Sequence, residues 1–174
     1  MNRNELAKSI YEISHLTGDF TLRSGLKSTE YFDKYRFEAQ PQVLKEIANH
    51  MKDLIPADTE VLAGLEMGGI PIATALSLVS GLPCIFVRKE AKTYGTCQLA
   101  EGYDFANKKV CVIEDVITTG GQVIESTAEL RKRGANISNV LCVIYRGDDS
   151  YDKLNAIDLK LSALFTMAEL KEIS

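Results

Sequence analysis

Short apolar runs rich in β-branched residues alternate along this chain with longer stretches whose apolar positions recur every three or four residues. The first pattern is that of a buried strand, the second that of an amphipathic helix. Residues 61–64, 84–87, 110–113 and 140–145 are apolar throughout, as strands covered on both faces are. Residues 157–165 predict a further strand at a sheet edge. Leu6, Ile10 and Ile13 share one face of a helix over 4–16, which Gly18 should end. A second helix opens at Pro41, buries Val43, Leu44, Ile47, Ala48, Met51, Leu54 and Ile55, and closes at Pro56. Helices are also expected over 71–80 and 123–133, with Gly134 at the C′ position of the latter. Thr166 and Glu169 have the spacing of a capping box for a last short helix. Such alternation predicts an α/β fold with a mostly parallel central sheet flanked by helices. Its glycine-bearing turns should gather around one crevice at one edge of the sheet.

The candidate chemistry concentrates after the strand at 110–113. Glu114 and Asp115 follow it, then Val116 and Ile117, then a small turn of Thr118, Thr119, Gly120 and Gly121, with Gln122 leading into a helix. Backbone N–H groups of a turn at a helix N-terminus can surround a phosphate, and the threonine hydroxyls add donors. Carboxylates repel phosphate but accept hydrogen bonds from hydroxyls, so the pair of acids fits a sugar attached to the phosphate. The local chemistry therefore reads as a phosphorylated ribose. A P-loop would end Gly-Lys-Ser/Thr, and this turn carries no lysine. The plainer alternative is an ordinary strand-to-helix turn with solvated acids at the helix start.

Three other stretches bear on the picture. LEMGGIP, with Met67 and Gly68 at its centre, is a second glycine-bearing strand-to-helix turn and a second candidate phosphate site. Arg88, Lys89 and Lys92 crowd the end of a strand and open a loop over about 88–103, which reads either as a lid that neutralises a leaving pyrophosphate or as a solvated charged loop. Residues 20–41 mix Arg23, Lys27, Lys34 and Arg36 with Tyr31, Phe32, Tyr35 and Phe37. That mixture can hold a flat anionic ring by stacking and charge, or form a two-stranded ribbon with its charges in solvent. Arg146, at the end of a strand, can read a carboxylate bidentately or pair with Asp148 or Asp149. His15 is expected to be a surface or capping residue.

Composition narrows the function classes. The 174 residues suit a single domain over 1–174. At 45% apolar and 25% charged, they have the balance of a water-soluble protein. A formal net charge of −4 gives no bulk support to nucleic-acid binding, and no apolar run reaches the length of a membrane span. The N-terminus has no apolar signal core, and the four cysteines form no C-x-x-C. Cys84, Cys111 and Cys142 lie in expected strands as small apolar residues. With two histidines there is no zinc spacing. The cytoplasm is the natural location.

The stretch IEDVITTGG resembles the 5-phosphoribosyl-1-pyrophosphate (PRPP) motif of type I phosphoribosyltransferases. With FTLRSG, EYFDKY, GGIPIATALS, RKEAKTYG and LAEG it makes the chain similar to orotate phosphoribosyltransferases from about residue 18 to 165. The resemblance implies the type I phosphoribosyltransferase fold, with a small N-terminal hood over about 18–40 and the loop at 88–103 as a mobile lid. It implies transfer of phosphoribose from PRPP to orotate, giving orotidine 5′-monophosphate and pyrophosphate in pyrimidine biosynthesis. Glu114 and Asp115 then meet the ribose hydroxyls, and the turn from Val116 and Ile117 through Thr118, Thr119, Gly120 and Gly121 to Gln122 holds the 5′-phosphate. Arg88, Lys89, Lys92 and Tyr94 bind PRPP from the lid, and Met67 and Gly68 form the pyrophosphate loop. Arg23, Tyr31, Phe32, Thr118 and Arg146 take the orotate ring. Lys92 and Asp115 are the implied catalytic residues. Mg²⁺ is carried on PRPP rather than by the protein, and a homodimer shares the lid across its interface.

Three positions depart from the family pattern. Arg23 and Tyr94 stand where lysine and histidine are usual, and Gly68 where many members have a lysine near the pyrophosphate. These departures leave room for another base, such as a purine, although a neutral purine needs no arginine clamp. A non-catalytic PRPP-binding regulator is the other rival, and it would need a basic nucleic-acid face that this sequence does not display.

Overall fold

The computed structural model of the protein describes residues 1–22, 25–90, 99–147 and 150–173. A six-stranded sheet carries the fold, in the order β5-β4-β3-β6-β7-β8. Its strands are β3 (Val61–Leu65), β4 (Cys84–Val87), β5 (Ala100–Gly102), β6 (Lys109–Ile117), β7 (Asn136–Tyr145) and β8 (Lys160–Thr166). β3, β4, β6, β7 and β8 run parallel; β5 lies antiparallel on β4 at one edge. The other edge is β8, as the sequence predicts.

Alternation along each strand sends side chains to two cores. Val61, Ala63, Leu65, Val110 and Val112 pack on one face with Val123 and Leu130 of α5 (Gly121–Lys132). Leu62, Cys111, Ile113, Leu141 and Val143 pack on the other. There they meet α1 (Arg3–Ser14), α3 (Pro41–Met51), α4 (Gly69–Ser80) and the C-terminal α7 (Met167–Ile173). α3 buries Val43, Ile47, Ala48 and Met51 of the expected stripe; the helix ends at Met51 rather than at Pro56, a 3-10 turn over Lys52–Leu54 following it, and Leu44, Leu54 and Ile55 are only partly buried against the core. The Thr166–Glu169 capping box is present: the Glu169 N–H donates to Thr166 Oγ1 at 3.1 Å and the Thr166 N–H to Glu169 Oε2 at 2.6 Å. Gly134, at φ 92°, follows the end of α5.

Several boundaries differ from the sequence expectation, each for a reason of pairing. α1 stops at Ser14 rather than running to Gly18, because the ribbon β1 (His15–Thr21) and β2 (Lys27–Phe32) begins there. His15 pairs with Phe32, and the Asp33 N–H donates to the Ser14 carbonyl at 2.8 Å. Gly18 lies inside that ribbon. β6 does not stop at Ile113. Its parallel pairing with β7 continues through Val116–Ile144 and Ile117–Tyr145, so Glu114 and Asp115 belong to the sheet. Three short elements were not expected: α2 (Lys34–Glu38), β5, and α6 (Ser150–Asn155). β5 takes 100–102 out of the expected loop. No helix among the described residues is long and apolar enough to cross a membrane.

Glycine sets the closeness of β3, α4 and β6. A Cβ at Gly64 would run into the Gly69 carbonyl and the Ala73 side chain, and one at Gly69 into the Ile113 carbonyl. The N-terminus of α4 is thereby seated against the central strand. Ile113 is fully buried there. Ile113→Ala should cost about 2–5 kcal/mol in urea unfolding, while Lys45→Ala on the exposed side of α3 should stay within about 0.5 kcal/mol.

Candidate active site

The carboxyl ends of β3, β4 and β6 open on a cleft of about 350 Å³. Its floor is β6. Its walls are the turn 118–121, the β3–α4 turn, the start of the loop after β4, and α2. Glu114, Asp115, Val116, Ile117, Thr118, Thr119, Gly120, Gly121 and Gln122 all line it, so the whole acidic and glycine-rich stretch faces one space. The Ile117 side chain is in the core, so that residue contributes backbone.

The turn is shaped to present donors. Gly120 is the N-cap of α5 at φ 74°, a left-handed conformation that favours glycine. No side chain caps this helix. The first α-helical bond is from the Ile124 N–H to the Gly120 carbonyl at 3.0 Å, which leaves the N–H groups of the first turn, in residues that line the cleft, without an intrahelical acceptor. Thr118 and Thr119 are exposed. Ser150 of α6 donates to the Thr118 carbonyl at 2.8 Å and fixes the turn from behind.

The acids are buried rather than solvated, which removes the plain-turn alternative for them. Asp115 is fully buried and Glu114 is 8% exposed. Lys34 Nζ, from α2, meets Asp115 Oδ2 at 2.6 Å. Glu38, one turn along α2, is also buried against Asp115. Burial, the hydrogen bond to Asp115 and its charge push the Glu38 carboxyl up to about 9. Burial likewise pushes Glu114 well above the usual carboxylate range, reinforced by Asp115. Burial opposes the charge of Asp115 too, but hydrogen bonds from Glu114, Glu38 and Lys34 outweigh it and hold Asp115 low. Burial opposes the charge of Lys34, and its bond to Asp115 outweighs that and raises it. Asp115 is therefore the acid whose charge the cluster favours, with the Lys34 ammonium against it.

The other predicted residues fall into three groups. Met67 lines the cleft, and Gly68 is packed so closely that a Cβ would land on Asp115 Oδ2. Lys89 lines the cleft, its N–H donating to Glu66 Oε1 at 2.5 Å. Arg88 is not among the lining residues; its N–H donates to the Leu99 carbonyl at 2.9 Å. Tyr31, Phe32 and Arg146 come together instead in a neighbouring cavity of about 220 Å³, shared with Tyr11, His15 and Lys171. The two spaces adjoin: the Arg146 N–H donates to the Ile117 carbonyl at 2.8 Å, one residue before Thr118. His15 is the C-cap of α1, as expected, its N–H donating to the Tyr11 carbonyl, and its half-buried ring stacks on Tyr11 at 4.8 Å. Arg23, Lys92, Tyr94, Asp148 and Asp149 lie outside the described residues. Sequence reasoning missed Lys34, Glu38 and Glu66 as parts of the cleft; Lys34 was visible only as one cation in a mixed stretch.

Glu38 carries a sign that stability measurements can read. Its proton affinity is higher folded than unfolded, so its contribution is full below the ordinary carboxylate range and is lost as pH rises toward about 9. Glu38→Gln keeps a donor without a titrating proton. Between pH 5 and 9 the melting temperature of Glu38→Gln should fall less steeply than that of the unsubstituted protein, by about 3 °C or more at the alkaline end. Parallel curves would refute the shared proton.

The comparisons with known proteins agree with this geometry. Residues 35–163 match the model of the phosphoribosyl transferase domain. The chain is 51% identical over 165 residues to an orotate phosphoribosyltransferase of Nocardioides sp., covering 95% of this chain and 92% of that one. Its fold superposes on the Mycobacterium tuberculosis H37Rv orotate phosphoribosyltransferase in complex with inorganic phosphate, at a TM-score of 0.87 and 27% identity, covering 97% and 98% of the two chains. The same Mycobacterium enzyme in complex with PRPP gives a TM-score of 0.84 at 26% identity, covering 98% and 99%.

Proposed function

The chain belongs to the orotate phosphoribosyltransferases of the phosphoribosyl transferase domain family, and from that membership we propose a division of labour for its cleft. The reaction transfers the 5-phosphoribosyl group from PRPP to orotate and releases pyrophosphate. The observation that carries the assignment of parts is the uncapped N-terminus of α5 standing beside the buried, ionised Asp115.

The turn from Thr118 to Gln122 takes the 5′-phosphate on its backbone N–H groups, and the threonine hydroxyls add donors. Asp115 accepts from the ribose hydroxyls; Glu114, which accepts from the Asp115 N–H through its Oε1 at 3.0 Å, helps to fix that carboxylate. Arg146 and the aromatic residues Tyr31 and Phe32 hold the orotate ring, the guanidinium reading its carboxylate. An anionic ring needs no strong base. The chain's contribution is then positioning and electrostatic stabilisation as the C1′ centre gains oxocarbenium character.

Among the described residues, no cluster of His, Cys, Asp or Glu is arranged to hold a metal. Asp115 is already engaged by Lys34, Glu38 and Glu114. This fits Mg²⁺ arriving on the phosphate oxygens of PRPP and water, where it would neutralise charge on the leaving group. Lys92, Arg88, Lys89 and Tyr94 are assigned to the lid over PRPP, and the lid to a homodimer that shares it. Arg23 is assigned to the base. The single domain is assigned to the cytoplasm. Transfer to a neutral purine is disfavoured, because Arg146 in the aromatic cavity would then face no carboxylate.

Orotate absorbance should fall when PRPP and Mg²⁺ are supplied, and Lys92→Ala should slow that loss by about 100-fold or more. Arg146→Ala should raise the KM for orotate by about 10- to 100-fold with less effect on the KM for PRPP. Wild-type protein that binds PRPP without consuming orotate would overturn the base assignment.

A further inference from the structure

We propose that Lys34 is a substrate-binding residue for the pyrophosphate end of PRPP, held over Asp115 and shared with the phosphate oxygens when substrate enters. The proposal rests on the reading of the cleft given above and adds a cation that the sequence motifs do not assign.

The first observation is place. Lys34 lies on α2, outside the sheet, yet its ammonium reaches the most buried carboxylate of the cleft and lines the cleft with its neighbour Tyr35. Its side chain is 33% exposed against none for Asp115, so it sits at the lip of the site with its partner at the bottom. An ammonium has three donors. Asp115 is its only ion-pair partner among the described residues, and Tyr35 flanks it with its ring centroid 5.2 Å from Nζ.

The second observation is Gly68. A side chain there would collide with Asp115 and come against Glu38. The β3–α4 turn can therefore offer backbone, but no cation, toward this wall. Lys34 meets the same Asp115 oxygen that bars a Cβ at Gly68, so its charge stands where a side chain from position 68 is excluded. That wall also carries Met67 and Glu66.

The third observation is charge. Among the described lining residues the cations are Lys34 and Lys89, facing Glu66, Glu114 and Asp115. A pyrophosphate in this space meets carboxylates unless an ammonium stands between. Lys34 can bridge, keeping one donor on Asp115 and turning others to phosphate.

The test is pyrophosphate binding, which does not depend on which base the protein uses. Isothermal titration with Mg²⁺-pyrophosphate and, separately, with ribose 5-phosphate compares wild type, Lys34→Met and Lys34→Arg, with melting curves to confirm folding. Lys34→Met should weaken pyrophosphate by tenfold or more, the scale of one hydrogen bond between charged groups, and Lys34→Arg should largely restore it. Ribose 5-phosphate should be much less affected. Unchanged pyrophosphate affinity in Lys34→Met, or equal losses for both ligands, would overturn the proposal, the latter by making Lys34 a support for Asp115 alone. Failure of wild-type protein to consume orotate, with these affinities as expected, would instead count against the base assignment.

Discussion

A carboxylate with no exposure to water is expensive unless its charge is met by donors at close range. Asp115 is such a group, and much of the architecture around the cleft follows from meeting it. β6 must carry it at its end, paired with β7 so that the backbone is satisfied. α2 must close over the sheet end so that Lys34 and Glu38 reach it from successive turns. The β3–α4 turn must be glycine where the carboxylate sits, because no Cβ fits at Gly68. The ribbon β1–β2 delivers the chain into α2 through Asp33, whose side chain accepts from the Tyr35 N–H at 3.2 Å. Hood and cleft are thus joined by one buried charge.

The same constraint separates the chemistry in space. Negative charge is gathered under α2, at the end of β6, where burial favours a proton on Glu38 and opposes the charge of Glu114. The uncapped end of α5 lies along the same cleft and carries backbone donors with no opposing side chain. A ligand with hydroxyls in its middle and phosphate at its end matches that order. A plain polyanion fits beside Asp115 only where an ammonium such as that of Lys34 stands between them. The aromatic cavity with Arg146 adjoins through a backbone bond to Ile117, so a flat acidic ring can be brought up to the ribose without crossing the acids.

The fold was largely legible because it rests on local pattern. The apolar runs that became β3, β4, β6 and β7, the stripe of α3, the Thr166 capping box and Gly134 are all written within a few residues of where they act. The turn at 118–121 was legible for the same reason. What escaped was decided at a distance. β6 runs on to Ile117 because β7 pairs with it, and no local residue says so. α1 ends at Ser14 because Phe32 waits across the ribbon. Glu38 reads in sequence as one more surface acid; only the fold brings it to Asp115 and makes its proton difficult to remove. Lys34 reads in sequence as one cation of a basic and aromatic mixture, where neither ring-holding nor solvation names its partner, a buried carboxylate.

The charge balance of the cleft explains why motif residues alone do not make a site for a polyphosphate. Glu66, Glu114 and Asp115 stand against Lys34 and Lys89, so the described lining is neutral at most, with burial opposing the charge of Glu114. A neutral cleft attracts no polyanion from afar, and a protein of net charge −4 adds no long-range help. Affinity must then come from directed donors at contact and from cations that arrive with the ligand or on a closing segment. Directed donors work only if the wall that holds them is rigid, and here that rigidity is supplied by glycine. Gly64 and Gly69 let α4 touch β3 and β6, Gly68 lets Asp115 lie flat, and Gly120 turns the chain into α5. The glycines of the two turns therefore act as packing residues first, and it is their packing that aims the donors.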